Sequence, residues 1–233
     1  VLEINNIYHL DCLKGMQKIK EQGMKVDLIV TDPPYYIKEI KAGGSSRLAK
    51  QKQQVSDELY NNNLTAGIAE ECLNLMWALM KTPNIYVWCN GAQIVQYLDF
   101  FVNKHSCSFE ILIWSKTNPM PLFSNKYLAD KEYCIYFRKG GYCKPIRYET
   151  ARTVYHQPLN VKDKRLYNHP TIKPLNIITN IILNSSKEND TILDPFMGSG
   201  TTAEACIRLK RNYIGFEINK NYFEASQRRL ASI

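Results

Sequence analysis

The chain has 233 residues, 45% of them hydrophobic, and a formal net charge of +8 at neutral pH. That length suits one large α/β domain, alone or with an insertion, and the apolar share is ample for a core. No apolar run approaches the roughly 20 residues of a membrane-spanning helix, and the opening VLEINN carries no basic-then-apolar targeting pattern.

In chain order, IYHLD (7–11) reads as a short strand and CLKGMQKIKEQG (12–23) as a helix ending at Gly23. VDLIVTD (26–32) is the next strand. Pro33 and Pro34 end it, because they cannot donate to a sheet ladder and they hold the backbone extended. A carboxylate, Asp32, and a ring, Tyr35, thus flank a stiff pair of prolines at the end of a core strand. Residues 37–63 read as a long polar loop holding AGGSSR and QKQQ. It is too long for an ordinary connection, so it is functional, mobile or both.

TAGIAEECLNLMWALMK (65–81) is an amphipathic helix with Ile68, Cys72, Leu75, Met76 and Leu79 on one face. NIYVWCN (84–90) is a strand and AQIVQYLDFFVNK (92–104) a helix; FEILIWSK (109–116) and EYCIYFRK (132–139) are strands. PLNIITNIILNSS (174–186) is a helix with proline in its first turn. DTILD (190–194) and NYIGFEI (212–218) are strands, each followed by a helix, TTAEACIRLK (201–210) and KNYFEASQRRL (220–230). Such alternation implies an α/β fold with a doubly wound, mostly parallel sheet.

Charge is concentrated between Lys116 and Asn168, where eleven Lys/Arg stand against four Asp/Glu and seven tyrosines are interleaved. Basic side chains reach phosphates and aromatics pack on sugars or bases; a tyrosine-rich sheet with a solvated basic face reads equally well. The seven cysteines form no CxxC pair and no zinc-type cluster. The expectation is buried thiols in a reducing, cytoplasmic setting, with neither disulfide nor metal.

LDPFMGSGTTAEA (193–205) runs from a strand through a Gly-rich turn into a helix. Gly198 and Gly200 permit a tight turn and a close ligand approach, and the helix start offers free amides to an anion. Glu217 ends the next strand, 19 residues after Gly198, where nucleotide-binding folds place an acid on a ribose. Gly198-x-Gly200-x-x-Ala203 alone is a weak signal. Preceded by Asp194-Pro195-Phe196 and followed by Glu217, it points to a nucleoside ligand.

Taken together, DPPY (32–35) and DPFMGSGTT (194–202) resemble the amino-methylating DNA methyltransferases that use S-adenosylmethionine. Asp11-Cys12 is similar to that family's N-terminal element, HPTIKP (169–174) to its HPTxKP element, and WSKTNPMP (114–121) to the start of its target-recognition region. The motif order resembles its β arrangement, and DPPY the adenine-specific pattern. The resemblance implies one Rossmann-like domain over 1–233, with 37–63 as a mobile loop and 116–168 as a basic target-recognition insertion. It implies double-stranded DNA as partner and no membrane or metal; oligomeric state is left open, since similar enzymes with small recognition regions often pair as homodimers.

By that resemblance, Asp32 and the Pro33 carbonyl, held by Pro34, accept the amino hydrogens of a flipped adenine, and Tyr35 stacks on it. Asp32 also borders the cofactor. Asp11 and Cys12 contact the cofactor's adenine and Glu217 its ribose. Asp194, Pro195, Phe196 and the Gly198-Ser199-Gly200 turn lie along it. Thr201 meets its carboxylate, with His169, Thr171 and Lys173 nearby. Cytosine N4 or RNA adenine methylation, and a non-catalytic binding module, are the alternative readings.

Overall fold

The protein is described here by a computed structural model covering residues 1–37, 47–61, 65–121, 127–167 and 171–233. Its strands are β1 (Asn6–His9), β2 (Leu28–Thr31), β3 (Asn84–Cys89), β4 (Ser108–Lys116), β5 (Lys131–Arg138), β6 (Val154–Gln157), β7 (Thr191–Asp194) and β8 (Asn212–Glu217). They form one sheet in the order β1-β8-β7-β2-β3-β5-β4-β6. Every pairing is parallel except those of β5, which lies antiparallel to both β3 and β4.

The helices are α1 (Cys12–Glu21), α2 (Arg47–Asn61), α3 (Glu70–Leu79), α4 (Ile94–Leu98, continued as a π-helix over Asp99–Lys104), α5 (Val161–Tyr167), α6 (Leu175–Ser185), α7 (Thr201–Arg208) and α8 (Lys220–Leu230). Period-two alternation in the strands sends side chains to opposite faces. Ile85, Val87 and Cys89 of β3 join Met16, Ile19, Leu73 and Met76 of α1 and α3. Tyr86 and Trp88 join Ile178, Ile181 and Ile182 of α6 and Ala203 of α7 on the other face. Burial on both faces explains why β2 and β3 are buried throughout.

The structure adds three elements that the sequence reading lacks: α2, β6 and α5. Residues 47–61, read as loop, form the 15-residue helix α2. The segment RLAKQKQQVSDELYN is dense in strong helix formers, and its few apolar residues, Leu48, Val55 and Leu59, recur at helical spacing. The basic segment 116–168 contributes strands to the sheet. Its strand β5 pairs with β3 from Asn84↔Arg138 to Cys89↔Tyr133, inside the sheet, while β6 forms the edge. The fold is a doubly wound, mostly parallel sheet, as expected.

Candidate active site

The chain leaves β2 for β3 on one side and leaves β7 for β8 on the other, so the topology reverses between β2 and β7. These two strands pair directly, Leu28 with Ile192 and Ile29 with Leu193. Ligand crevices open at the carboxyl ends of such strands. A cavity of about 260 Å³ lies there, lined from one side by Asp32 and Tyr35 and from the other by Phe196, Gly198 and Glu217.

Asp32 is the centre of a buried charge network. Lys173 Nζ donates to its Oδ2 at 2.5 Å and lies 3.1 Å from Glu132 Oε2. Lys116 Nζ closes on the other Glu132 oxygen at 2.7 Å. The Tyr35 hydroxyl donates to Glu132 Oε2 at 3.1 Å, and Lys173 stands 5.2 Å from the ring centres of both Tyr35 and Trp88. Asp32 Oδ1 is buried with no hydrogen-bond partner among the described residues.

Burial lifts the Asp32 carboxyl above its usual range, against the pull of Lys173. Burial would also lift Glu132, yet Lys173 and Lys116 hold it down at about 2. The two acids differ because Glu132 has two ammonium partners, whereas Asp32 shares one and is repelled by Glu132. Lys173 is raised: burial alone would lower it, but the two carboxylates outweigh burial. Burial, then the charges of Asp32 and Glu132, raises Tyr35 well above its ordinary value, so its hydroxyl keeps its proton.

The backbone of DPPY is held from the loop after β3. Buried Gln93 donates to the Pro34 carbonyl at 3.1 Å, and Asn90 donates to the Tyr36 carbonyl at 2.8 Å. Rigidity here therefore comes from two side-chain grips as well as from the prolines.

At the opposite wall, Gly198 and Gly200 both have positive φ, 54° and 84°. A side chain at Gly200 would also meet Ser226 Cβ at 3.1 Å, so this position requires glycine. Asp194 accepts from the Thr31 hydroxyl at 3.0 Å, the Thr202 hydroxyl at 2.6 Å and the Phe196 amide at 3.1 Å, tying β7 to β2 and α7. Its carboxyl is pushed up to about 7 by burial, against those bonds. Glu217 accepts from the amides of Gly198 at 2.8 Å and Asn219 at 2.7 Å. Asp11 caps α1 by accepting from the Lys14 amide at 3.1 Å.

Buried Arg229 of α8 supports this wall from behind. It reaches Glu204 Oε2 at 2.5 Å, Thr201 Oγ1 at 2.8 Å, Ser199 Oγ at 3.2 Å and Asp163 Oδ2 at 3.2 Å.

Of the residues singled out from the sequence, all in the described part line this one cavity except Gly200, which packs behind it. His169 lies outside the described residues. Lys173 borders the cavity but engages Asp32 and Glu132. Sequence reasoning missed Glu132, Lys116, Gln93 and Arg229. Arg229 carried a signal: with Tyr222, Ala225 and Ser226 it occupies the buried face of α8, at helical spacing. Glu132 carried none that stands out: it lies in β5 between Lys131 and Tyr133, and the strand also ends on a charge, Arg138.

Residues 26–228 match the model of a family described as DNA methylase, the N6/N4 methyltransferases. The chain is 32% identical over 244 residues to the type II methyltransferase M2.LlaDCHI of Lactococcus lactis subsp. cremoris, covering 96% of this chain and 88% of the relative. It is 31% identical to the type II methyltransferase M2.DpnII of Streptococcus pneumoniae, with the same coverage of each chain. Among solved structures, the M1.HpyAVI–SAM complex superposes with a TM-score of 0.71 at 29% identity, covering 97% of this chain and 98% of that one.

Proposed function

The chain belongs to the N6/N4 DNA methylase family, and on that premise we propose that it methylates the exocyclic amino nitrogen of adenine at a specific DNA site. One observation carries the choice of reacting centre. Asp32 lines the cavity with one oxygen held by Lys173 and the other without a hydrogen-bond partner among the described residues.

The cofactor is S-adenosylmethionine, which supplies an electrophilic sulfonium methyl when bound. The residues present fit it. Each Glu217 oxygen takes one backbone amide and keeps lone-pair capacity toward ribose hydroxyls. Phe196 and Cys12 offer apolar surface, and the first turn of α7, at Thr201, offers free amides to a carboxylate. Asp11, Thr171, Asp194, Pro195, Ser199 and Gly200 complete this proposed wall, Asp194 and Gly200 by shaping the turn.

An aromatic amino group is a weak nucleophile because its lone pair is delocalised. Asp32 Oδ1 and the Pro33 carbonyl accept its two hydrogens and favour a more tetrahedral nitrogen, while Tyr35 holds the base plane. A paired adenine must leave the duplex to reach this cavity. Exposed Lys144, Arg147, Arg152, Lys162 and Arg165, all within 116–168, form the basic surface that we assign to DNA phosphates. Ile37 and Leu59 of α2 line the cavity, which supports a covering role for these described parts of 37–63; residues 38–46 and 62–64 lie outside the described residues. A cytoplasmic homodimer completes the reading, and sedimentation would reveal the pairing.

The test is transfer of labelled methyl to duplex DNA, followed by nucleoside analysis. N6-methyladenine is expected. N4-methylcytosine would replace the assigned base, and label in RNA alone would replace the substrate.

A further inference from the structure

We propose that Lys173 is a positioning residue: it clamps Oδ2 of Asp32, leaves Oδ1 for the target amino group, and keeps that carboxylate ionised. The proposal rests on the reading of Asp32 given above. It departs from the cofactor-side role that the HPTxKP resemblance implies.

The side chain of Lys173 is only 5% exposed. A buried ammonium is costly unless paired, and an apolar side chain of similar volume often serves stability better. Stability alone therefore does not call for a charge here. What the ammonium does is geometric. One of its donors is on Asp32 and another on Glu132, and the ring faces of Tyr35 and Trp88 flank it. Glu132 in turn receives the Tyr35 hydroxyl and Lys116. The acceptor carboxylate and the stacking ring are thus referenced to one rigid ladder, Lys116–Glu132–Lys173–Asp32.

The charges around Asp32 make the inference testable. Glu132 and Cys134 face it from β5, Cys89 from β3, Asp194 from β7, Tyr97 from α4 and Tyr35 from its own segment. Among the described residues Lys173 is the cation in contact with it; Lys116 stands behind Glu132. Removing Lys173 leaves Asp32 among acids, so it holds a proton to higher pH. Neutralising Glu132 removes repulsion and gives Asp32 the whole ammonium, so it ionises at lower pH. The two changes push in opposite directions, which a general loss of packing does not do.

The experiment compares pH profiles of kcat and kcat/KM for the full chain and for Lys173→Met and Glu132→Gln, with cofactor affinity by calorimetry and folding by circular dichroism. Lys173→Met should lose about 100-fold or more in kcat, bind S-adenosylmethionine within about threefold of the parent, and move its acid limb up by about one pH unit. Glu132→Gln should move that limb down. Unmoved limbs, or shifts of one sign in both variants, overturn the proposal. So does a Lys173→Met variant that loses cofactor affinity at unchanged kcat. If Lys173→Met fails to fold, the direction of the Glu132→Gln shift decides. An Asp32→Ala control separates the two levels. An active control sinks the reading of Asp32 itself, whereas an inactive control with unmoved limbs sinks only the role of Lys173.

Discussion

The Gly198 amide donates to Glu217 Oε2 at 2.8 Å, so the carboxylate that closes the glycine turn also lines the cavity. Glu217→Ala should therefore act twice, removing a ribose acceptor and loosening the turn. A loss of roughly 1–3 kcal/mol in S-adenosylmethionine affinity is expected. Glu217→Gln keeps one acceptor and should lose less. Calorimetry showing unchanged affinity in the alanine variant would remove Glu217 from the site.

Asp32→Ala removes the acceptor at the reacting centre while leaving the glycine turn and Glu217 intact. Methyl transfer should fall by at least about 10²–10³. Cofactor and DNA binding should survive, because most DNA affinity comes from phosphate contacts elsewhere. Asp32→Asn should be nearly as inactive, since the neutral amide lacks the charge that faces the developing aminium. Near-normal turnover in both variants would reject the mechanism.

Arg229 is buried and joins α8 to Glu204, Thr201 and Ser199. Arg229→Met strands these groups. Breaking a buried pair from one side costs about 3–5 kcal/mol. The lower end is expected, because Glu204 retains Arg208 at 2.8 Å. Urea unfolding measures this loss, and adding Glu204→Gln should recover part of it. A neutral Arg229→Met would make the network incidental.

Acid should weaken the fold through Glu132. Its folded-state carboxyl lies at about 2 against an ordinary 4.5, because two lysines favour the charged form more than burial opposes it. A depressed carboxyl contributes stability above its unfolded value and loses it as pH falls through the folded one. The window is thus from about 4.5 down to about 2, and the contribution roughly 3 kcal/mol. Unfolding free energies measured across that range should fall more steeply for the parent than for Glu132→Gln. Parallel curves would contradict the assigned pairing.

Phosphate contacts release counterions, so DNA affinity should fall steeply with salt. Arg147→Ala and Arg152→Ala should each flatten the logarithmic slope by about one unit if the side chain meets a phosphate. Both are exposed. Lys126, in the same basic segment, lies outside the described residues. Unaltered slopes would assign this charge to a solvated face.

The sequence by itself determined the parts whose physics is local. Two prolines stop a strand wherever they stand, a glycine takes positive φ at 198 and 200, and near-continuous apolar runs mark strands buried on both faces. Those features carry the DPPY and glycine-turn walls, and nearly every cavity residue named from them lines the cavity. Helix α2 is less legible, because its apolar residues are few although they keep helical spacing. Tertiary structure alone decided what faces Asp32. Lys173 is 141 residues away, Glu132 comes from an antiparallel strand slotted between β3 and β4, and Gln93 reaches across 59 residues to Pro34. A lysine destined for a buried carboxylate reads along the chain like one destined for solvent. Its partner is chosen by strand order and burial, and neither leaves a periodic or compositional mark.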